Sequence, residues 1–546
     1  MKSLRIIYVF LLLIAASACK KALDVNTDPA SPQKTKPEYL LAPMIAQMAI
    51  NPAFDYRDAQ FNLTQNMGAQ TENNAFERHG FSASDTGGAL WRMVYISFGL
   101  NLEEMITNGE AAGANTLVGI GLAMKAWGYQ LLTDSHGPVI LDEAFKDQLK
   151  FAYQDQPEVY AKVRLWCQQA LVALNKPDVG DYSNFLRNAD QLFGGDKAKW
   201  RKFIYAVLAT QYSHLTSKND FKTRYADSVV KYVDLSFAAA SEDPTIGFAG
   251  NFPYSSTTAP GDANPLSVFA GIFGAAGSGR IGQPIVNYLC GGVRGTPTVD
   301  PKSSTDPRLT RMINPMVTTS TATNGVYRGV VATRGDLPTT KTIPHVFGIA
   351  TATAQALFPG KYLFGQGAAA NDKPRFPLFS YSQLQFAKSE ALFLKGDKAG
   401  ALTSYTNGIR GHMDFVNLYG RNGLVQAPAI TPAEITAYMA SNEVVKTAGD
   451  LTLADIMGQK YIAQWGWAGQ EQWCDLRKHH YSPDVFRQFK QLESSEFFPS
   501  TPGKYAYRIR PRYNSEYIFN IAEIRKWGAD KNEYTTLETW FSLPDQ

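Results

Sequence analysis

Cys19 is the side chain whose surroundings point most directly to a reaction. Lys2 and Arg5 form a short positive head, an apolar run follows from Ile6 to Ala16, and Ala16-Ser17-Ala18 leads straight into the thiol. The run is about eleven residues, too short to cross a hydrocarbon core of ~30 Å, and reads as the h-region of an export signal. Small residues directly before a cysteine predict cleavage after residue 18 and acylation of the Cys19 sulfur, although the position three residues before it, commonly Leu in such sites, is Ala16. Each buried CH₂ contributes roughly 0.8 kcal/mol, so two or three acyl chains hold a protein on a membrane almost irreversibly. Residues 19–40 then read as anchor and tether, because Pro29, Pro32 and Pro37 among Asn26, Thr27, Asp28 and Ser31 cannot bury much apolar surface.

Other groups with chemical potential have plainer readings. Glu471 and Asp475 would share one helix face. A glycoside hydrolase needs two carboxylates some 5–10 Å apart, but this spacing equally suits a cap or salt bridges. Gly277-Ser-Gly279-Arg-Ile-Gly282 satisfies G-x-G-x-x-G, yet no β-α-β frame surrounds it and no capped helix opens there, so a nucleotide site is not expected. The pair His479-His480 reads as surface or partly packed, and no Cys/His spacing matches a zinc site. Neither G-x-S-x-G nor H-E-x-x-H occurs. No catalytic residue, metal or cofactor is therefore expected. Cys167, Cys290 and Cys474 allow at most one bridge, which is not a disulfide framework.

Composition narrows the partners. The chain has 546 residues, enough for a large core and more than one structural unit. Its formal charge of +4 falls to +2 once Lys2 and Arg5 leave, with no long basic run, so nucleic-acid binding has no electrostatic support. Aromatic residues make up 12% and charged residues only 19%, which suits a large core and also stacking on sugars or peptides.

Elements that could position a site follow from periodicity. Residues 41–240 predict a helical scaffold. Trp91, Val94, Tyr95, Phe98, Leu102, Met105 and Ile106 form one stripe of a 3.6-residue period, and Leu117, Ile120, Met124, Trp127 and Leu131 another, stopped at Gly137-Pro138. Val159, Val163, Trp166, Ala170 and Leu174 follow a helix start at Pro157, and Asp196 reads as the N-cap of the helix carrying Trp200 and Phe203. Residues 241–375 change character. From Pro244 to Asp300 only Asp262, Arg280, Arg294 and Asp300 are charged, amid Gly, Ser, Thr, Pro and unpartnered aromatics. This predicts a loop-rich subdomain inserted in the scaffold, and long loops in compact proteins are usually functional. Helices resume over 376–480, where Ala387, Ala391, the Gly396-Asp397 turn, Ala401 and Tyr405 resemble a tetratricopeptide hairpin, and 481–546 reads as a loop-rich C-terminal segment.

Five blocks in this order, behind the acylation signal, resemble the SusD/RagB nutrient-binding outer-membrane lipoproteins over nearly the whole mature chain. They are Leu23 to Pro29; Asp134 to Val139 with Asp142 to Phe145 and Tyr153 to Gln156; Phe193 to Trp200; Asp306 to Leu309 with Gly325 to Gly329; and Gln459 to Tyr461 through Glu471, Trp473 and Arg477. His479-His480 stands where the family usually has Thr-Gly. The resemblance implies a mainly α, tetratricopeptide-like scaffold with a loop-rich inserted ligand-binding subdomain. It further implies a lipid-anchored protein facing the cell exterior, closing as a lid on a SusC-type TonB-dependent transporter and delivering oligosaccharide or peptide.

In such proteins the ligand contacts often come from an early loop and the central insertion. That places the expected contacts at Asn73, Asn74, Phe76, Arg78 and His79, with Tyr254 and Tyr327 behind them. Planar polar groups and aromatic faces of this kind suit a sugar. A surface-anchored glycoside hydrolase is the alternative reading.

Overall fold

The computed structural model describes residues 36–81, 87–250, 262–267, 272, 278–298, 306–316, 326–336, 346, 359–365, 374–423 and 425–545. Cys19, the export signal, most of the tether and Tyr254 lie outside them. The main elements are α1 (Pro37–Asp55), β1 (Met67–Ala69), α2 (Gly99–Ala112), α3 (Asn115–His136), α4 (Gln156–Asn175), α5 (Lys197–Ser213), α6 (Ala226–Leu235), β2 (Ser278–Ile281), α7 (Tyr381–Lys395), α8 (Lys398–Tyr419), α9 (Leu453–Gln464) and α10 (Gly469–Lys478). The protein is mostly helical. Each helix from α2 to α8 packs on the next in sequence, and α9 packs across α7 and α8. That is the tetratricopeptide-like scaffold. No helix among the described residues is long and apolar enough to cross a membrane.

Local chemistry explains where the scaffold helices begin and turn. Asp155 and Glu158 make a reciprocal capping box at the start of α4, with Pro157 inside the first turn. The Asp196 carboxylate accepts from Ala198 N–H and Lys199 N–H at the start of α5. Gly396, at φ 100°, turns α7 back into α8, where most side chains would be strained. The two helices then lie close enough for Ser382 Oγ to donate to Gly408 O and Ser389 Oγ to Ala401 O, both at 2.7 Å.

Three expectations need correction. The stripe from Trp91 to Ile106 is not one α-helix. Gly88–Arg92 is α-helical, Met93–Phe98 is a π-helical turn, and Gly99 (φ 20°, ψ −119°) breaks the chain before α2. The widened turn still delivers Trp91, Val94, Phe98, Leu102 and Met105 to the core. The first helix begins at Pro37, inside the expected tether, because proline is tolerated at a first helical position. The C-terminal segment carries short helices at Tyr513–Phe519 and Ile521–Lys526 between its loops.

A knot of buried charges fastens the second half of the scaffold. The Glu390 carboxylate of α7 meets Lys478 of α10 at 2.9 Å and Lys460 of α9 at 3.5 Å, while Asp475 of α10 meets Lys460 at 2.7 Å and Lys478 at 2.9 Å. His479 Nε2 adds a contact to Glu390 at 2.8 Å, and Lys478 Nζ donates to Ser213 O at the end of α5. Burial alone would raise the Glu390 carboxyl, but Lys478 and Lys460 outweigh it and hold the group well below the usual carboxylate range. Removing one member leaves uncompensated charge where water cannot reach it. Glu390→Gln is therefore expected to destabilise the fold by about 3–5 kcal/mol, read as a lowered urea midpoint. A midpoint unchanged within error would show that the knot holds nothing together.

Candidate functional site

The early loop is built outward from β1. Met67, Gly68 and Ala69 pair antiparallel with Ile281, Arg280 and Ser278 of β2. The G-x-G-x-x-G run is thus a strand followed by a helix of five residues, Gln283–Asn287. Its last glycine serves backbone packing, since a Cβ on Gly282 would lie 2.1 Å from Gln65 O. Beyond β1, Glu77 is the internal staple. Its carboxylate accepts from Ala69 N–H at 2.5 Å and from Thr333 N–H at 2.6 Å, and burial pushes its carboxyl up to about 7. Asn73 N–H donates to Thr333 O, and Asp336 N–H to Gln70 O, each at 3.0 Å. The early loop and residues 330–336 of the central insertion therefore form one stitched surface.

A third segment, 490–506, closes the loop from behind. Arg78 donates to Glu496 O at 3.0 Å and Phe497 O at 2.9 Å, and Phe498 N–H donates back to Arg78 O. His79 is 1% exposed. Its ring lies edge-on to Tyr481 and Tyr505 at 5.3 and 4.7 Å, and its Nδ1 accepts from Ala506 N–H at 3.2 Å. Tyr327 is buried as well, its hydroxyl pushed up to about 12 chiefly by burial. Asn73 is exposed and sits at φ 59°. Asn74 is half-buried and its Oδ1 accepts from Phe76 N–H at 3.0 Å, an Asx turn that presents the half-buried Phe76 ring against Phe81. The structure thus holds Asn73, Asn74, Phe76, Arg78 and His79 in one loop, with Asn73 exposed, Asn74, Phe76 and Arg78 half-buried and His79 enclosed.

Two hollows around Phe145 carry no signal that periodicity could find. One, about 240 Å³, is lined by Trp91, Tyr95, Phe145, Phe151, Arg512 and Glu516. The other, about 430 Å³, runs past Lys125, Tyr129, Phe145, Asp142 and Trp166. Phe145 stands between them at φ 66°, an unusual conformation for a bulky residue.

Of the remaining motif residues, Arg308, Asp306, Trp473 and Arg477 are buried, whereas His479 is half-buried and His480 exposed. Arg308 is buried and holds Asp306, Gln459 and the Tyr438 hydroxyl, the closest contact being Nη2 to Asp306 Oδ2 at 2.7 Å. Arg477 donates to Asp134 O at 2.6 Å and to Tyr507 O at 2.8 Å while lying 3.8 Å over the Trp473 ring. Asp475 belongs to the charge knot, and Glu471 pairs with His214 Nε2 at 2.9 Å, so this carboxylate pair is engaged in salt bridges. His480 and Tyr481 follow at φ 51° and 53°, and His480 Nε2 meets Glu538 at 3.1 Å. Cys167, Cys290 and Cys474 are buried thiols, none of them in a disulfide among the described residues.

Comparison with known proteins agrees with this architecture. Residues 29–500 match the SusD-like family described as "Starch-binding associating with outer membrane". The chain belongs to that family. Among solved structures, a SusD/RagB family protein from Bacteroides thetaiotaomicron is 19% identical with a TM-score of 0.67, covering 94% of this chain and 100% of its own. A SusD homolog from Parabacteroides distasonis is 16% identical with a TM-score of 0.67, covering 93% and 99%. A chitin-binding SusD homolog from Flavobacterium johnsoniae is 16% identical with a TM-score of 0.65, covering 93% and 99%. No curated protein matches the chain.

The enclosure of His79 has a pH consequence. Burial lowers its imidazole to about 3, whereas an unfolded chain protonates near 6.5. Its folded pKa is depressed, so the unfolded state takes up the proton first as pH falls. Stability is intact above about 6.5 and falls by up to ~1.4 kcal/mol per pH unit below that. His79→Asn, whose amide oxygen can accept from Ala506 N–H, removes this titration. Its Tm is expected to drop less than the parent's between about pH 7 and about pH 4; equal drops would contradict the assignment.

Proposed function

We propose that this chain captures oligosaccharide at the outer face of the outer membrane, anchored through acylated Cys19, and hands it to a SusC-type TonB-dependent transporter without altering it. The observation that carries the reading is the match over residues 29–500 to a family described as starch-binding and outer-membrane-associated. The chitin-binding name of the Flavobacterium johnsoniae relative supports a glycan in particular. Peptide is the second ligand class. The salt bridges that engage Glu471 and Asp475 favour binding over hydrolysis.

The proposed contacts are Asn73, Asn74 and Phe76, with Tyr254 from the central insertion. Arg78, His79 and Tyr327 act from behind, because their polar groups or rings are already used within the protein. A half-exposed aromatic flanked by amides stacks on a sugar ring and hydrogen-bonds its hydroxyls. The hollows at Phe145 are a second place where a ring could seat.

Calorimetric titration of the soluble mature chain with malto- and chito-oligosaccharides tests the reading. Asn73→Ala with Phe76→Ala is expected to weaken binding by roughly tenfold or more, about 1.4 kcal/mol, with recovered oligosaccharides uncleaved. Weakening by Phe151→Ala and not by the loop variant would move the site to the Phe145 hollows. Binding of neither glycans nor peptides would overturn the function, and cleaved products would favour the hydrolase. Mass spectrometry of the mature N-terminus checks for the acyl chains on Cys19.

A further inference from the structure

Where the two halves of the scaffold meet, four potential metal donors converge. Asp134 near the end of α3, His214 just after α5, and Glu471 and Cys474 on α10 each place one donor atom within 4.8 Å of the other three. Asp134, His214 and Cys474 are buried and Glu471 is nearly so. Glu471 also borders a hollow of about 20 Å³ beside Gln130 and Thr210, large enough for one water.

The orientation of the imidazole is that of a metal ligand with its supporting carboxylate. His214 Nδ1 lies 3.2 Å from the Tyr160 hydroxyl and 3.3 Å from Asp134 Oδ2, and that carboxylate accepts from Tyr160 Oη–H at 2.6 Å and Gln130 Nε2–H at 2.7 Å. Nε2 is turned the other way, 2.9 Å from Glu471 Oε2, and the Cys474 sulfur lies within 4.8 Å of a donor atom of each of the other three residues. A histidine whose second nitrogen donates to a carboxylate is the usual arrangement behind a metal. Donor–donor edges in a tetrahedral site are about 3.3–3.8 Å, so side-chain shifts of about 1 Å bring these groups into place.

We propose that His214 Nε2, Glu471 and Cys474 bind one Zn²⁺, with Asp134 and Tyr160 orienting the imidazole and a water as the fourth ligand. Mixed nitrogen, oxygen and sulfur donors favour zinc over the hard cations calcium and magnesium. The charges balance. Zn²⁺ and Arg477 would offset Asp134, Glu471 and the Cys474 thiolate, whose proton leaves as the metal binds. Arg477 Nη2 lies 3.1 Å from the sulfur and would remain as its counter-ion. The ion would staple α3 and the end of α5 to α10, adding stability independently of ligand capture.

Metal analysis of the mature chain purified without chelator tests this, together with Co²⁺ addition to chelator-treated protein. About one Zn²⁺ per chain is expected, and Co²⁺ should give a thiolate-to-cobalt charge-transfer band. Cys474→Ser, nearly isosteric, should abolish that band, and chelation should lower the Tm of the parent but not of this variant. A chain that carries no transition metal and gives no sulfur band with Co²⁺ overturns the proposal. So does Co²⁺ binding that Cys474→Ser leaves unchanged. In either case the four groups are an ion cluster around a protonated imidazole.

Discussion

Two carboxylates and two ammonium groups, Glu390, Asp475, Lys460 and Lys478, lie together in the interior where none can be satisfied by water. Desolvating one such charge costs several kcal/mol, and only close opposite charges at fixed geometry offset it. This constraint sets the relative positions of α7, α9 and α10, because each contributes a member that the others require. The backbone carbonyl of Ser213 takes a further Lys478 proton and ties in the end of α5. Hydrophobic burial could tolerate sliding of one helix on another; paired charges at 2.7–2.9 Å could not.

The same logic governs the motifs that mark the family. Arg308 with Gln459, Arg477 with the Asp134 carbonyl, and Asp134 against His214 are buried polar contacts, and each joins segments far apart in sequence. They hold the frame. Solved structures only 16–19% identical share the fold, with TM-scores of 0.65–0.67. The early loop is held on the frame by staples such as Glu77, whose two backbone donors come from segments more than two hundred residues apart.

How much could be read in advance depended on the range of the interactions. The starts of α4 and α5 and the turn between α7 and α8 were legible, because Pro157, Asp196 and Gly396 act on residues within a few positions of themselves. The break at Gly99 was not, since the apolar spacing across a π turn still resembles a continuous stripe. His79 reads as a polar loop residue, and its enclosure depends on Tyr481 and Tyr505, some four hundred residues away. The charge knot was equally hidden: Glu390 looks like an ordinary helix carboxylate until Lys460 and Lys478 are folded against it. Of the expected contacts, Asn73 is exposed and Asn74 and Phe76 are half-buried, while the half-buried Arg78 and the buried His79 and Tyr327 are engaged by parts of the chain that sequence spacing cannot disclose.

The central claim is that a rigid, charge-locked frame carries a separate capture surface. Hydrogen–deuterium exchange of the soluble chain with and without a binding oligosaccharide tests it most directly. The account predicts ligand-dependent protection in residues 70–81 and the loops stitched to them, with α7, α9 and α10 strongly protected in both states and unchanged. Protection that instead develops in α7, α9 and α10, leaving the early loop unaffected, would contradict it.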